Sequence, residues 1–472
     1  MLFASSFRIV AFVAIAFALA APVQAEWTSH RGGPERTGCS DGKPGPKSLK
    51  VQWVHRGREQ FVASPVADGN SLFVSGLGAF NTASFQCLNI ADASGAKVRW
   101  SKAPPSLKLP LVSSPAITDG KLIFGDGMHQ TDGASLHCLN VETGRQVWRL
   151  DVPGTLVHIE CSPAVSGGKV YVGAGHGGML CIDLNRVVLE GKEQPAAAVQ
   201  ARLDELWKKL QAEYEVEKKK DPDFAIPPSE DSLPRPSPVV LWQQGKDKWH
   251  IDASPTLLDG KLLATSAFLD AEKSGERVLL CLDASKGEVL WKTPLKFNPW
   301  SGASVSGKTI LVGLSSIRFD PNELKGAKGS VVALNLADGS EKWKRDFQGG
   351  VISPVAAAGG LAVFTCTDGK VRAIDIESGL EKWSYPGGTP FFAGPAVAGN
   401  LVYAVDLKGV VHAIALDSGA AAGKLDVPND SAVKSAGSVY GSPIVHGGNL
   451  YLATCNLETT GAPSVVVCIG DK

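Results

Sequence analysis

Residues 353–383 read SPVAAAGGLAVFTCTDGKVRAIDIESGLEKW. Three apolar runs of strand length, 354–357, 361–365 and 371–376, are separated by Ala358-Gly359-Gly360 and Thr367-Asp368-Gly369-Lys370. A fourth run ends on Trp383 after Ser378-Gly379. Glycine beside aspartate or another glycine supplies the positive φ of tight hairpins, so the stretch predicts a four-stranded antiparallel meander. One such sheet leaves both faces exposed, and only stacking against copies of itself buries them.

The copies run along the chain. On the same register Ser64-Pro65 leads to Trp100, Ser114-Pro115 to Trp148, Ser162-Pro163 to Trp242, Ser254-Pro255 to Trp291, Ser301-Gly302 to Trp343 and Ser353-Pro354 to Trp383. Gly394-Pro395 leads to Leu425 where a tryptophan is expected, and no tryptophan follows Ser442-Pro443. The missing close stands at the other end of the chain, in Gln52-Trp53. A ring accounts for this, because an N-terminal strand that completes the last blade leaves no sheet edge unpaired. Apart from one outlier the openings lie roughly 41 to 52 residues apart, which is propeller spacing. The expectation is an all-β, eight-bladed propeller of four-stranded antiparallel blades, closed by the N-terminal strand and spanning 51–472.

The outlier marks an insertion at 186–238, within the third blade. Val199, Leu203, Leu206, Trp207, Leu210 and Tyr214 recur at three- and four-residue steps among Glu and Lys, the pattern of an amphipathic helix, and a Pro-rich stretch follows. Its place between the third and fourth strands predicts a helix laid against the propeller's flank, or an arm for a partner. Residues 193–236 are expected to be removable with the propeller still folded.

Residues 1–25 have the form of a secretory signal. Arg8 precedes the apolar run 9–21, and Val23-Gln24-Ala25 puts small residues where cleavage after Ala25 would occur. The protein is thus expected to be exported, periplasmic or extracellular, and to meet a membrane only through partners. Residues 26–50, rich in Gly and Pro, lack a strand pattern and predict an ordered arm leading to Trp53. With 47 basic and 47 acidic residues the chain shows no electrostatic footprint for nucleic acid. Of nine cysteines, Cys87, Cys138, Cys181, Cys281 and Cys468 occupy one repeat position that carries Ala333 and Ala373 elsewhere. They therefore read as small buried fillers, while Cys39, Cys161, Cys366 and Cys455 are left open.

Alternating strand direction puts the loops between second and third strands on the same face as the blade-to-blade links. That face carries the longer excursions, at 76–85, 125–135, 266–277, 315–329 and 456–464, and the aromatic and polar links. Arg56, His158, Glu160, Trp249, His250, Trp300, Phe391, Phe392 and Tyr440 are the candidate binding residues, on loops that either recognise a ligand or cap the channel. Asp126, Glu160, Asp252 and Asp270 fall on or near the same face without a spacing that nominates a metal site. His129, His137 and His412 stand singly and read as structural. The run 173–178, GAGHGG, links two strands and opens no helix, which argues against phosphate binding.

The repeat close, Asn140-Val141-Glu142-Thr143-Gly144 before Trp148, resembles the pyrroloquinoline-quinone-like (PQQ-like) propeller repeat. The lead-in with Trp27, Arg31-Gly32 and Gly38 is similar to that of exported bacterial propellers of this group. The resemblance implies one of two functions: a quinoprotein dehydrogenase, or a non-catalytic BamB-like propeller. Members of the first kind use adjacent cysteines over the quinone, an acidic Ca²⁺ cluster, an Asp base and a Trp floor, and no two cysteines adjoin here. The expectation is a non-enzymatic, monomeric scaffold for a protein or peptide, without catalytic residues, metal or cofactor. A PQQ- or Ca-dependent oxidoreductase and a polysaccharide-binding propeller are the alternatives.

Overall fold

The computed structural model describes residues 27–39, 43–78, 83–92, 94–104, 106–129, 131–435, 437–457 and 464–471. Residues 1–25, for which the sequence predicts a secretory signal, and loop residues 79–82 and 458–463 lie outside the described residues. Among the described residues no helix is long and apolar enough to cross a membrane.

Eight antiparallel sheets follow one another around an axis. In the sixth blade the strands are Ala356–Ala358, Leu361–Thr365, Lys370–Asp375 and Glu381–Pro386, paired in sequence order from the axis outward. Strands are lettered A to D on that order. The eighth blade takes Ile444–His446, Asn449–Ala453 and Ser464–Gly470 from the C-terminus, and its D strand is Lys50–Gly57. Trp53 stands opposite Cys468, so the two chain ends close the wheel in one sheet.

The repeat's tryptophans and glycines fit each other across blade boundaries. A Cβ on Gly144, Gly287, Gly339, Gly379 or Gly419 would fall 2.5–2.8 Å from the ring of Trp100, Trp242, Trp291, Trp343 or Trp383, each on the blade before. Trp100, Trp242, Trp343 and Trp383 also donate their indole N–H to Val141, Ala284, Ile376 and Leu416 of the next blade. The residue four before such a glycine folds the C–D turn around its own side chain: Asn140 Oδ1 accepts from the Glu142 and Thr143 amides, and Asp375 Oδ1 from Ser378.

One assignment needs correction. Gly423, not Leu425, takes the tryptophan position of the seventh blade, opposite Ala413 as Trp383 is opposite Ala373. The reason is geometric. The eighth blade's D strand arrives from the N-terminus, so that blade has no C–D turn to receive an indole, and Leu49 instead lies 3.7 Å from where a Gly423 Cβ would stand.

The insertion solves the complementary problem. Helix α1 (Ala196–Lys220) and the extended hairpin of Met179–Leu189 with Lys192–Pro195 stand where the third blade's C–D turn would be. Trp148 is fully buried, in the same apolar cluster as Val187, Leu189, Ala196, Val199 and Leu203. Only the first turns of α1 are buried; Leu206 is 38% exposed, and Trp207 and Tyr214 are partly exposed. The five repeat cysteines are buried in the slot facing the closing tryptophan, as in Cys87 opposite Trp100, and the nine cysteines are not joined in disulfides. Burial pushes the Cys87 thiol up to about 11, leaving it unreactive.

Residues 27–38 do more than lead into the first strand. They coil inside the axial channel and accept backbone hydrogen bonds from the A strands of six blades: Ala67 to Trp27, Ile117 to Thr28, Leu257 to Pro34, Val305 to Glu35, Ala357 to Thr37 and Val397 to Gly38. Arg36 donates to the Ser162, Pro163 and Pro255 carbonyls, and Arg31 to that of Pro395. Both guanidiniums are pushed down to about 10 by burial. The chain then crosses the A–B turn of the seventh blade, with Pro44 against Gly399. The plug thus closes the channel on the face of the short turns.

Candidate functional site

On the opposite face the channel opens into a cavity of about 550 Å³, within the size range of ligand pockets. The plug forms its floor through His30, held neutral by burial and by the charges of Arg36 and Arg31. The opening serines line it, among them Ser64, Ser114, Ser162 and Ser254. Their hydroxyls stitch neighbouring blades together: Ser254 Oγ accepts from the Ser162 amide, Ser442 Oγ from Gly394, and Ser64 Oγ from Ser442 across the seam of the wheel.

The cavity has two unlike walls. One is aromatic: Phe319 meets Phe392 edge-on at 5.9 Å, and Phe392 meets Tyr440 at 5.4 Å, with Trp300 and Leu457 completing it. Phe319 and Leu457 are 43% and 47% exposed, more than core packing would leave.

The other wall is polar, built from the loop of the second blade and the links into the third and fourth blades. Both links read His-Ile-acid-x-Ser-Pro, as His158-Ile159-Glu160 and His250-Ile251-Asp252. In extended backbone alternate residues point oppositely. The isoleucines turn into the blades, where a Cβ on Gly125 or Gly173 would collide with them, and the histidines and carboxylates turn towards the axis. His158 and His250 are fully buried, with ring centroids 5.1 Å apart. Asp252 lies between them, its Oδ1 2.9 Å from His158 Nε2 and its Oδ2 2.9 Å from His250 Nε2. The second contact lacks hydrogen-bond alignment, so among the described residues neither nitrogen of His250 is satisfied, nor is His158 Nδ1. An unsatisfied buried donor or acceptor costs roughly 1–3 kcal/mol.

His129 comes from the second blade's loop. Its amide donates to Glu160 Oε1 at 2.6 Å, and its ring stands 5.8 Å from that of His158 and 6.2 Å from that of His250. Burial pushes the Glu160 carboxyl up to about 7, Asp252 adding to the effect and His158 opposing it. Burial works against ionisation of Asp252 as well, but His250 and His158 outweigh it and hold this carboxyl well below its usual range. For His158 burial is outweighed by Asp252 and Glu160, and its pKa rises. His176 packs on His250 at 5.2 Å and bonds Ser274 Oγ at 2.6 Å.

Of the residues singled out from the sequence, Glu160, Trp300, Phe392 and Tyr440 line the cavity, and His158 and His250 stand directly behind it. Arg56, Trp249 and Phe391 do not. Arg56 ties the Ala432 and Val433 carbonyls, while Trp249 and Phe391 are buried in blade cores. The same alternation explains this, since Trp249 and His250, like Phe391 and Phe392, are neighbours that face opposite ways. Of the four acids, Glu160 and Asp252 meet; Asp126 bonds His137 at 2.8 Å and Asp270 bonds Arg277 at 2.8 Å. His129, Arg318 and Phe319 were not anticipated. They are single residues in long loops, and only the repeated His-Ile-acid-x-Ser-Pro hinted at the polar wall.

A family model described as outer membrane protein assembly factor BamB matches residues 45–204 and 276–469. No curated protein matches significantly in sequence. Among solved structures, BamB from Moraxella catarrhalis superposes with a TM-score of 0.57 at 15% identity, covering 90% of this chain and 98% of its own. A europium-containing methanol dehydrogenase gives 0.61 at 15% identity, covering 91% and 89%. Quinohemoprotein alcohol dehydrogenase from Comamonas testosteroni gives 0.60 at 13%, covering 95% and 81%. At these identities the likeness is one of fold.

Proposed function

The chain belongs to the family described as outer membrane protein assembly factor BamB, and from that premise we propose that it is an exported, non-enzymatic scaffold that binds a protein segment in its axial cavity. The observation that carries this reading is the blind cavity with an aromatic wall, Phe319, Phe392 and Tyr440, on the face that bears the long loops. Exposed aromatic rings offer apolar side chains a large contact area, and Arg318 and Asp320 at the same cavity offer polar anchors for a backbone. An extended segment of an unfolded membrane-protein strand, with alternating aromatic and polar residues, has the matching chemistry.

The quinone reading finds less support. Glu160, Asp252 and Asp320 face the cavity, with Arg318 the one arginine or lysine among its described lining residues. That charge balance does not suit a quinone bearing several carboxylates, and no disulfide joins the protein's cysteines.

The test is fluorescence anisotropy with labelled extended peptides of alternating aromatic and polar residues. Saturable binding that falls about tenfold or more in Phe319→Ala and Tyr440→Ala supports the proposal. Retention of PQQ with Ca²⁺, followed by dye reduction with an alcohol, would replace it with the oxidoreductase reading.

A further inference from the structure

We propose that the polar wall is a metal site, in which His129, His158 and His250 bind one divalent first-row transition ion of the zinc class, with its open position turned to the cavity. One ring nitrogen from each of the three histidines lies within 4.8 Å of the other two. Nitrogens at 2.0–2.1 Å from a tetrahedral zinc stand roughly 3.3 Å apart, so the rings need to draw in by at most about 1.5 Å.

Three further observations point to a ligand. His158 and His250 are fully buried, yet among the described residues three of their four ring nitrogens make no aligned hydrogen bond. His137, which bonds Asp126 through Nε2, likewise keeps Nδ1 unpaired, so the distinguishing ring is that of His250, where both nitrogens are unpaired among the described residues. Asp252 is placed as an orienting carboxylate, 2.9 Å from a ring nitrogen of each buried histidine, the arrangement that fixes the tautomer of metal-bound imidazole. Asp252, and Glu272 at 3.8 Å from His129, set negative charge beside the triad, with the Glu160 carboxyl 3.9 Å from His158 and Arg318 3.3 Å from His129 Nε2. Three imidazoles select zinc, copper, nickel or cobalt over Ca²⁺, which takes oxygen ligands. His129 lines the cavity, so an ion held there is reachable by whatever enters. This inference stands apart from the protein-binding reading, and either survives failure of the other.

The experiment uses the full chain, stripped with chelator and desalted, titrated with Zn²⁺ by calorimetry and with Co²⁺ by visible absorbance. One ion per chain is expected, with Co²⁺ displaced by Zn²⁺ and not by Ca²⁺. His129→Ala and His250→Gln are expected to weaken Zn²⁺ by about 100-fold or more, and Asp252→Asn by about 10- to 100-fold. His176→Gln, outside the triad, is expected to stay within about threefold of the parent. If His250→Gln fails to fold, His129→Ala still decides, because His129 is a loop residue only partly buried. Absence of stoichiometric binding, affinity unchanged in His129→Ala, or competition by Ca²⁺ overturns the proposal.

Discussion

Gly419 lies against the indole of Trp383 so closely that a Cβ there would stand 2.7 Å from the ring's Cγ. Its φ of +71° is equally closed to other residues. The pair shows how the repeat works: tryptophan closes one blade, and the glycine of the next makes the cup that receives it. Gly419→Ala should therefore combine left-handed strain with overpacking, costing roughly 2–4 kcal/mol. Gly69→Ala, at φ +53° with open space around it, should cost only about 1–2 kcal/mol. Denaturation midpoints of the two variants check this; equal shifts would contradict the packing argument.

The plug predicts a local effect of a single side chain. Arg36→Ala removes charge-assisted bonds to three carbonyls of the third and fourth blades, at a cost of roughly 3 kcal/mol or more. Hydrogen exchange should accelerate at the Ala67, Leu257 and Ala357 amides, which donate to the plug, before the outer strands respond. Uniform acceleration across every blade would show that the plug is not a separate unit.

For the insertion, the expectation that the propeller stays folded without 193–236 meets the buried cluster that the start of α1 shares with Trp148. Leu203→Ala, in the buried end of α1, should cost about 2–5 kcal/mol. Leu206→Ala, at 38% exposure, should cost within about 0.5 kcal/mol. Plain deletion uncovers Trp148 and should lower the melting temperature, whereas replacing the segment with a Glu-Thr-Gly turn like 142–144 restores a cup. Equal melting for both deletions would contradict this.

Acid should act on the sixth blade through Asp368. Burial alone would raise its carboxyl, but hydrogen bonds from Arg372, one of 3.1 Å, more than offset this and hold it below its ordinary value. A depressed folded pKa gives stability that is present above the unfolded value near 3.9 and is lost as pH falls through the lower folded one. Asp368→Asn should therefore destabilise at pH 7, with the difference shrinking below about pH 4. A difference independent of pH would contradict it.

Blade number, closure and the filler cysteines were legible because they repeat, so that each copy corroborates the others. The plug was not, because residues 27–38 have no strand periodicity and their hydrogen bonds are donated by six distant strands. The polar wall was half legible. His158 and His250 carried a repeated motif, but His129 is a lone histidine whose role appears only when the second blade's loop folds over the link.

The central claim is that recognition happens inside the axial cavity and not on the outer rim. Hydrogen exchange of the chain with and without a bound extended peptide tests it most directly. Protection confined to the links and loops around Phe319, Phe392 and Tyr440 is the result this account predicts. Protection along the outer strands, such as Glu381–Pro386, with the cavity unchanged, would contradict it.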